Sequence, residues 1–588
     1  MSSNNPQELA ALFEKIAQLL ELQGENPFKV RAYLRAARSL EQLREPLELL
    51  IREERLGSIE GIGKNIEEKI KEFSLTGRLL IYDELNAQFP PSLLELFEIQ
   101  GLGAKKIRLL YQKLQICSLE DLEKACLHSQ IAMLPGFGPK SAENIEQGIL
   151  FYKKNLGKFR LDQVLSLAKK IVPTLEASPD VLRCQIAGSL RRWKETIGDL
   201  DLIVSSRNPT AVMALFLEHA LVAEVLMKGA TKSSVRLKND LGESMLQCDL
   251  RVVKPEEFPF ALLYFTGSRE HNIRLRSRAL EFGWSLNEYS LSAQEGAPPP
   301  PLIEEEEDIY HALKLDFIAP ELREDRGEVS AAALRELPEL LEWPQLCGTF
   351  HCHTRASDGK NTIVEMAEAA QELGLDYLGI ADHSKSSLQA HGLSEERLFE
   401  QIEEIRIFNQ SSRGIHLFAG IECDILKDGR LDFSDEILSK LDYVVASVHS
   451  SFQLDECTMT NRILRAMENP YITMIGHLSG RLLFSREPYA LNIPTILDAA
   501  AATKTWIELN ASPYRLDLDW RWWSLAKEKG VRCVINPDAH HTSGFQHLRL
   551  GVHSARKGGL RREEVINTLP LEKIGEALKL KRTMITSS

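Results

Sequence analysis

The stretch from Gly188 to Val204 constrains the fold more than any other part of this chain. It reads GSLRRWKETIGDLDLIV, so Asp199 and Asp201 alternate with apolar residues. An alternation with a period of two predicts a strand that carries both carboxylates on one face. Neighbouring carboxylates repel each other unless a cation lies between them, and oxygen ligands suit Mg²⁺. The stretch therefore predicts a sheet surface that holds metal rather than two unrelated surface acids.

Two further features point to phosphate chemistry. The strand-like run QCDLRVV supplies a third carboxylate, Asp249. Three carboxylates could hold two Mg²⁺ ions for an in-line phosphoryl transfer. The Gly-Ser turn followed by Arg192 suits a triphosphate, because backbone N–H groups and a guanidinium fork both bind phosphate oxygens.

These residues together resemble the palm signature of the family X DNA polymerases, a group of nucleotidyltransferases. The resemblance implies that Asp199, Asp201 and Asp249 are the catalytic metal ligands, with Asp249 as the best candidate to accept the proton of the primer 3′-OH. It also implies that the triphosphate is held by Gly188, Ser189, Arg192 and Gly198.

Residues 264–291 resemble the nucleotide-selecting segment of the same family. Its YFTG turn, with Tyr264, Phe265 and Gly267, implies crowding of the sugar, which favours deoxynucleotides. Asn272 and Arg276 match positions that contact the incoming base and the template strand. Arg269 replaces an acidic residue of that pattern, which leaves the base contact there open.

Three Gly-x-Gly turns precede helical runs in the N-terminal part of the chain, in GIGKNI, GLGAKKI and GFGPKSAENI. This is the helix-hairpin-helix pattern. Glycine lets the backbone approach a phosphate, and the N-terminus of the next helix attracts it. Such turns bind the DNA backbone without reading its sequence. The expected DNA-binding residues here are Gly61, Gly63, Gly101, Gly103, Lys105, Gly136, Gly138 and Lys140.

The first helical segment also resembles the lyase domain of the family. The resemblance implies a 5′-phosphate pocket at Lys29 and Tyr33, and a Schiff-base lysine at Lys69. A lysine attacks an aldehyde readily when nearby cations lower its pKa. Asn65 stands where a second pocket lysine is expected, and glutamates adjoin Lys69. A solvated lysine on a DNA-binding helix is therefore the alternative.

Composition limits the class of protein. A chain of 588 residues predicts several domains. The net charge of −13 argues mildly against a nucleic-acid binder as a whole, but residues 153–160 and 272–280 are locally basic. No apolar run is long enough to span a bilayer, and the N-terminus resembles an amphipathic helix rather than a signal peptide. The nine unpatterned cysteines indicate a reducing cytoplasm, with thiols packed in cores.

After residue 345 strand-like runs alternate with helical ones, and run after run ends in a residue that can bind metal. About seven such repeats predict a barrel, and strand C-termini meet at one mouth of a barrel. His391 and His541 are taken as bystanders. The predicted cluster consists of His351, His353, Asp358, His383, Glu422, His449, His477, Asp538 and His540.

Mixed histidine and carboxylate sites suit Zn²⁺, Mn²⁺ or Fe²⁺, and carboxylates can bridge several ions. Clustered metals favour hydrolysis of phosphoesters. This half of the chain resembles the PHP (polymerase and histidinol phosphatase) domain. All nine ligand positions that the resemblance implies are filled in this sequence. The resemblance implies a working site with two or three ions, Mn²⁺ or Zn²⁺.

The expected protein is multidomain. Helical helix-hairpin-helix domains come first, then an α/β nucleotidyltransferase palm with its thumb, and finally a distorted (β/α)7-type PHP barrel. The segment GAPPPPLIEEEED, a Pro-rich loop that runs into acidic residues, is expected as a surface insertion in the thumb, and the segment AAALRELPELLEW as a short helix. The expected boundaries are 1–85 (lyase-like), 86–154 (fingers-type, DNA-binding), 155–255 (palm), 256–326 (thumb), 327–344 (linker) and 345–588 (PHP).

The order of these parts resembles a bacterial-type family X polymerase, which implies DNA repair. The expected substrates are gapped or nicked DNA and dNTPs, with Mg²⁺ at the palm, and the expected state is a cytoplasmic monomer. The PHP site would act as a 3′–5′ exonuclease, an abasic endonuclease or a 3′-phosphatase. Three alternatives stay open: a structural PHP domain, a polymerase half that only binds DNA, and a small-molecule phosphatase such as a histidinol phosphatase.

Overall fold

The structure is a computed structural model and describes residues 6–41, 43, 47–59, 61–238, 245–411 and 414–585. The chain folds into two compact units, one up to Leu156 and one from Gly157 onward. No helix among the described residues is long and apolar enough to cross a bilayer.

The first unit is helical, as the spacing of its apolar residues predicts. In its first helix Leu9, Phe13, Ile16 and Leu20 are buried, because residues three or four apart share one helix face. The buried residues form two clusters, one in each half of the unit. The helices are α1 (Pro6–Gln23), α2 (Pro27–Glu41), α3 (Leu47–Arg52), α4 (Lys64–Thr76), α5 (Leu80–Asn86), α6 (Pro91–Leu94), α7 (Ala104–Leu114), α8 (Leu119–Leu127) and α9 (Pro139–Asn155).

The second unit begins with the palm. Its helices are α10 (Leu161–Glu176), α11 (Gly188–Arg191) and α12 (Pro209–Leu217), and its strands are β1 (Phe159–Arg160), β2 (Arg183–Ile186), β3 (Thr196–Ile197), β4 (Asp199–Ser205), β5 (Val222–Lys228), β6 (Lys232–Leu237) and β7 (Leu246–Val253). The main sheet has the order β2-β4-β7-β6-β5, and β4 and β7 are parallel. Strand β4 is paired on both sides, so its apolar residues Leu200, Leu202 and Val204 are fully buried.

The thumb follows the palm. It comprises α13 (Phe258–Thr266), α14 (Arg269–Glu281), β8 (Trp284–Leu286), β9 (Leu291–Ala293) and α15 (Glu306–Ala312), and α16 (Glu328–Leu334) follows in the segment expected as the linker. Helix α16 is displaced from the predicted segment AAALRELPELLEW. It ends at Leu334, where Arg335 takes a left-handed φ of 61°, and Pro338 disfavours helix in the residue before it. Ala332 of α16 packs into the thumb core beside Tyr310.

The acidic run EEEED, which continues into α15, is not wholly a surface feature, which corrects the expectation for this segment. Glu306 is buried and accepts hydrogen bonds from Arg191 Nη2 at 2.7 Å and Arg323 Nη1 at 2.6 Å. Burial alone would raise the pKa of Glu306, but the charges of Arg323 and Arg191 lower it to about 2. Arg323 is itself fully buried. The pair with Arg191 therefore joins the thumb to the palm, and the pair with Arg323 lies within the thumb.

Replacing Glu306 with alanine is expected to lower the free energy of unfolding by about 3–5 kcal/mol, because Arg323 would stay buried without its carboxylate. Urea unfolding followed by tryptophan fluorescence measures the effect. Glu307→Ala is the matched control, since Glu307 is 59% exposed and lies 3.6 Å from His311. The control should change the free energy by less than about 0.5 kcal/mol. A loss below about 1 kcal/mol for Glu306→Ala would contradict this account.

The rest of the second unit alternates strands and helices, as predicted. The strands are β10 (Gly348–Thr349), β11 (Tyr377–Ile380), β12 (His416–Ala419), β13 (Glu422–Asp424), β14 (Val445–Ser447), β15 (Met474–Ile475), β16 (Trp506–Asn510) and β17 (Cys533–Asn536). The helices are α17 (Ile363–Glu372), α18 (Glu395–Gln410), α19 (Asp435–Leu438), α20 (Glu456–Met467), α21 (Ile493–Thr503), α22 (Trp523–Glu528), α23 (Leu548–Lys557) and α24 (Leu571–Ile585).

These strands form two parallel sheets, ordered β10-β11-β12 and β13-β14-β15-β16-β17. Because β13 follows β12 almost directly, the chain passes from one sheet to the other within a single strand. Parallel bridges between His383 and Glu422 and between Cys352 and Ala539 connect the two sheets at both seams. With β12 and β13 taken as one, the described part of this domain has seven strands. The ring closes, which confirms the distorted barrel.

The cysteines fit the expected packing only in part. All of them are free thiols. Cys184, Cys248, Cys352, Cys423 and Cys533 are buried, whereas Cys457 is exposed.

Candidate functional sites

The three palm carboxylates lie together on one sheet. Strands β4 and β7 pair in a register that sets Asp201 opposite Asp249, with Asp199 two residues earlier on the same face. Lys232 of β6 has its Nζ 3.3 Å from Asp249 Oδ2. Burial, and then the charges of Asp199 and Asp249, raise the pKa of Asp201 to about 7. Carboxylates that are costly to ionise together suit a divalent cation, which would offset their charge.

The turn at Gly188 lies directly against these carboxylates. Gly188 has a left-handed φ of 63°, and a Cβ built at this position would lie 2.2 Å from Asp201 Oδ2. No side chain fits at that distance, so position 188 requires glycine. The close approach brings the backbone of α11 next to the predicted metal site.

A cleft of about 320 Å³ brings most of the predicted nucleotide-binding residues together. Arg269, whose base contact the sequence pattern leaves open, also lines the cleft and adds a cation to it. Asn272 Nδ2 donates to the carbonyl oxygen of Tyr264 at 2.7 Å, which joins the two thumb helices at the cleft. Gly198 lies just before β4 and is exposed. The lining consists of Gly188, Ser189, Arg192, Asp199, Asp201, Tyr264, Phe265, Gly267, Arg269, Asn272 and Arg276.

Glu422 lies at the centre of the predicted histidine cluster and is 1% exposed. Its carboxylate oxygens lie 2.9 Å from His383 Nδ1, 2.9 Å from His477 Nε2, 3.3 Å from His449 Nε2 and 3.5 Å from His351 Nε2. Burial would raise the pKa of Glu422, but the charges of His449, His351 and His383 hold it well below its usual range. Glu422 is therefore the carboxylate best placed to bridge several ions.

The remaining predicted ligands adjoin this centre. His353 Nε2 lies 3.2 Å from Asp538 Oδ1 and 3.7 Å from Glu422 Oε2. His540 Nε2 lies 3.4 Å from Asp358 Oδ1. Ligand atoms from eight of the nine residues fall into three overlapping groups, each within 4.8 Å, and His353 and His383 belong to two groups each. His477 joins through Glu422, so the structure gathers every residue of the predicted cluster at one barrel mouth.

The chemistry of these side chains fits metal ions. Within the described residues, His351 Nε2, His353 Nδ1 and His477 Nδ1 are buried without a hydrogen-bond partner. An unpaired buried polar atom costs about 1–3 kcal/mol, which coordination would offset. Burial, and then the charges of His540 and His383, lower the pKa of His353 to about 4, so its ring is neutral and can donate a lone pair.

Two carboxylates that sequence reasoning missed support these ligands. Glu508 accepts a hydrogen bond from His351 Nδ1 at 2.6 Å and one from His477 N at 2.6 Å. Asp424 Oδ1 lies 2.5 Å from His449 Nδ1. Such partners fix the orientation of metal-binding histidines. Glu508 could have been recognised as a charge inside the apolar strand WIELN, and Asp424 as the residue two after the central glutamate.

The three Gly-x-Gly turns share one conformation. The first glycine of each has a left-handed φ, with values of 83°, 88° and 86° at Gly61, Gly101 and Gly136. The second glycine caps the following helix and has no heavy atom within 4 Å of a hypothetical Cβ, at Gly63, Gly103 and Gly138. The apolar residue between them is buried and anchors the turn. The open backbone can therefore be approached by a phosphate. Lys105 and Lys140 are exposed beside these turns.

The predicted lyase residues are engaged within their own unit. Lys69 Nζ lies 2.8 Å from Glu72 Oε2, and Lys29 Nζ lies 3.1 Å from an oxygen of Glu25. Tyr33 is 3% exposed. The amine of Lys69 must leave its ion pair before it can attack an aldehyde.

Four family models match the chain. The DNA polymerase beta thumb matches residues 261–324, and the PHP domain matches residues 349–512. The helix-hairpin-helix domain matches residues 4–79, and the SAM-like helix-hairpin-helix tandem matches residues 93–147. These matches confirm the helical N-terminal domains, the polymerase thumb and the PHP barrel.

Curated relatives cover the whole chain or its halves. The DNA polymerase/3'-5' exonuclease PolX of Bacillus subtilis is 37% identical over 572 residues, 97% of this chain and 99% of the relative. DNA polymerase lambda of Rattus norvegicus is 25% identical over 337 residues, 53% of this chain and 55% of the relative. A probable phosphatase of Caldanaerobacter subterraneus is 29% identical over 254 residues, 40% of this chain and 92% of the relative. The full-length relative and the thumb, hairpin and PHP matches show that the chain belongs to the family X DNA polymerases that carry a C-terminal PHP domain.

Proposed function

We propose that the chain fills short gaps in DNA at the palm and hydrolyses DNA 3′ ends at the PHP site. The observation that carries the proposal is the completeness of both ligand sets: the palm carboxylates share one sheet face, and the barrel-mouth cluster surrounds Glu422. The name of the Bacillus subtilis relative, a polymerase and 3'-5' exonuclease, supports the pairing of the two activities.

At the palm, Asp199, Asp201 and Asp249 would hold Mg²⁺. When bound, Mg²⁺ would lower the pKa of the primer 3′-OH and offset the charge of the triphosphate. Asp249 accepts the proton of the 3′-OH as the oxygen attacks the α-phosphate of the dNTP, and the bond from the α-phosphorus to the bridging oxygen breaks, so that pyrophosphate leaves. The guanidinium of Arg192 and the turn at Gly188 hold the triphosphate in line for this attack.

The thumb side of the cleft selects the nucleotide. Tyr264, Phe265 and Gly267 crowd the sugar, which favours deoxynucleotides. Asn272 contacts the incoming base and Arg276 the template strand, and both lie on α14 beside the cleft. The three glycine turns of the first unit bind the DNA backbone without sequence preference. We assign residues 1–85 and 86–154 to DNA binding, 155–255 to the palm, 256–326 to the thumb, 327–344 to the linker and 345–588 to the PHP domain.

At the PHP site the nine clustered residues would hold two or three Mn²⁺ or Zn²⁺ ions. When bound, such ions supply an activated water and stabilise the charge that develops on the phosphate. Glu508 and Asp424 hold His351 and His449 in the orientation that binding needs. The same site can act as a 3′–5′ exonuclease, an abasic endonuclease or a 3′-phosphatase, since each reaction cleaves a phosphoester.

A second candidate function for the PHP site is a phosphatase of small molecules. The relative from Caldanaerobacter subterraneus supports it, because that protein is named a probable phosphatase and its matched region covers 92% of its length. The fusion to DNA-binding turns favours a nucleic-acid substrate over a small one.

The test uses the full chain and a labelled primer annealed across a one-nucleotide gap. With dNTPs and Mg²⁺ the primer should gain a nucleotide. Without dNTPs and with Mn²⁺ it should be shortened from its 3′ end. Parallel reactions with histidinol phosphate and p-nitrophenyl phosphate test the second candidate. Absence of gap filling would overturn the polymerase assignment, and faster turnover of a small phosphate than of the DNA end would favour the second candidate.

A further inference from the structure

The turn that follows α11 is held by the PHP domain. This turn carries Arg192, the predicted triphosphate ligand, and Trp193. Lys557, at the end of α23 in the PHP domain, donates from Nζ to the carbonyl oxygen of Arg192 at 2.9 Å. The ring of Trp193 stacks on His553 of the same helix, with centroids 3.4 Å apart and planes 6° from parallel. Two successive palm residues therefore rest on one PHP helix.

The end of the same turn is also bound by the PHP domain. Glu195 is 8% exposed and accepts hydrogen bonds from Trp520 Nε1 at 3.3 Å and Arg521 Nη1 at 3.1 Å. Burial would raise the pKa of Glu195, but the charges of Arg521 and Arg481 lower it to about 2. The segment between the triphosphate turn and β3 is thus anchored at both of its ends.

Lys557 and Arg192 share one carboxylate oxygen. Lys557 Nζ lies 2.7 Å from Glu324 Oε1, and Arg192 Nε lies 3.1 Å from the same oxygen. The side chain of Lys557 is 1% exposed, and those of Arg192 and Glu324 are 11% and 12% exposed. Arg192 also donates from Nη1 to the carbonyl oxygen of Thr266 and lines the cleft. A PHP lysine, a thumb glutamate and a palm arginine therefore form one charge network that is largely shielded from water.

We propose that Lys557 is a positioning residue for nucleotide binding at the palm, acting through Glu324 on Arg192. It fixes the Arg192 backbone through the carbonyl oxygen. It also shares Glu324, so that this carboxylate attracts Arg192 less strongly and leaves the guanidinium available to a triphosphate. This proposal rests on the proposed function in one respect, that Arg192 binds the triphosphate.

The physical reason is competition for the guanidinium. Without Lys557, Arg192 is the one cation among the described residues that still contacts the Glu324 carboxylate. Attraction between opposite charges is strong where water is excluded, and a buried carboxylate resists losing a partner. The incoming triphosphate would have to displace Glu324 from Arg192. Loss of Lys557 should therefore weaken dNTP binding, although Lys557 lies outside the polymerase domain.

The experiment measures steady-state gap filling by the full chain with Lys557→Met. The KM for dNTP should rise about tenfold, since hydrogen bonds to charged groups contribute at about this level. The kcat, the affinity for gapped DNA and the hydrolysis of 3′ ends should each stay within about twofold of the unchanged protein. Lys529→Met is the matched control: it removes a lysine that pairs with Asp498 inside the PHP domain. The control should leave the KM for dNTP unchanged.

A second variant tests the direction in which Glu324 changes the KM for dNTP. Adding Glu324→Gln to Lys557→Met removes the competing charge, and the KM for dNTP should return to within about threefold of the unchanged protein. Glu324→Gln alone should lower the KM for dNTP. This variant tests the proposal even if Lys557→Met does not fold. An unchanged KM for Lys557→Met, or a raised KM for Glu324→Gln, overturns the proposal. An unchanged KM for Arg192→Ala would instead show that the triphosphate assignment of Arg192 has failed.

Discussion

Replacing Asp201 with asparagine is expected to lower the rate of nucleotide addition by about 10³-fold or more while leaving 3′-end hydrolysis intact. Asparagine keeps the shape of the side chain but removes the charge that would hold a divalent cation between β4 and β7. Loss of metal-based charge stabilisation costs several kcal/mol, and about 4 kcal/mol corresponds to 10³-fold in rate. Single-turnover extension of a gapped primer measures the rate, and degradation of the same primer without dNTPs reports on the PHP site.

The same change should stabilise the metal-free protein, which distinguishes a functional carboxylate from a structural one. Burial and the neighbouring aspartates raise the pKa of Asp201 from 3.8 to about 7, so the folded state resists its ionisation. In EDTA at pH 8, Asp201 of the unchanged protein is ionised, and this lowers the free energy of unfolding by the full cost of burying the charge. Asp201→Asn has no charge at this position and is not destabilised in this way. The difference should shrink as the pH falls from 7 towards 4, because Asp201 is then protonated in the folded state.

Asp180→Asn serves as the control, since Asp180 accepts a hydrogen bond from Asn208 at the far end of β4, away from the cleft. It should change neither the rate nor the pH dependence of unfolding. Extension that survives Asp201→Asn would show that the palm site has been assigned to the wrong residues. A lower unfolding midpoint for Asp201→Asn in EDTA would show that Asp201 is a structural residue.

The parts of the sites that lie within one strand were predictable from the sequence. The alternation around Asp199 and Asp201 sets their common face, because side chains alternate along a strand. Metal-type residues at successive strand ends predict one cluster, because parallel strands in a barrel share a mouth. The register of Asp201 with Asp249 does not follow from either pattern, since the two strands pair across a long intervening segment.

The residues that sequence reasoning missed depend on tertiary neighbours. Glu306 lies in an acidic run that composition assigns to the surface, and only the positions of Arg191 and Arg323 explain its burial. Glu508 lies in the strand WIELN, where the apolar neighbours dominate the pattern and hide the role of the carboxylate. Lys557 lies at the C-terminal end of a helix, where the helix dipole alone stabilises a cation. Its position in the sequence therefore does not indicate a partner in another domain. A side chain's role in such cases depends on a contact between distant segments.

Replacing Glu422 with glutamine is expected to abolish most 3′-end hydrolysis, with a loss of about 10³-fold or more, and to leave gap filling unchanged. Glu422 contacts His351, His383, His449 and His477. Removing its charge therefore affects more of the predicted ligands than replacing any single histidine would. Glutamine keeps the size of the side chain but offers a neutral oxygen and a donor in place of a carboxylate that could bridge ions. The ions should therefore bind more weakly, and elemental analysis of the purified protein should show fewer of them.

Glu436→Gln is the matched control, because Glu436 is an exposed carboxylate of the same domain on α19. It should retain both the metal content and the hydrolysis rate. The scaffold hypothesis for the PHP domain makes the opposite prediction for Glu422→Gln: hydrolysis would persist, since another site would perform it. Gap filling is the internal measure of folding, because palm and barrel belong to one compact unit and share the contacts around Lys557. Loss of both activities together would show that Glu422 supports the fold of the unit rather than the chemistry of the barrel mouth.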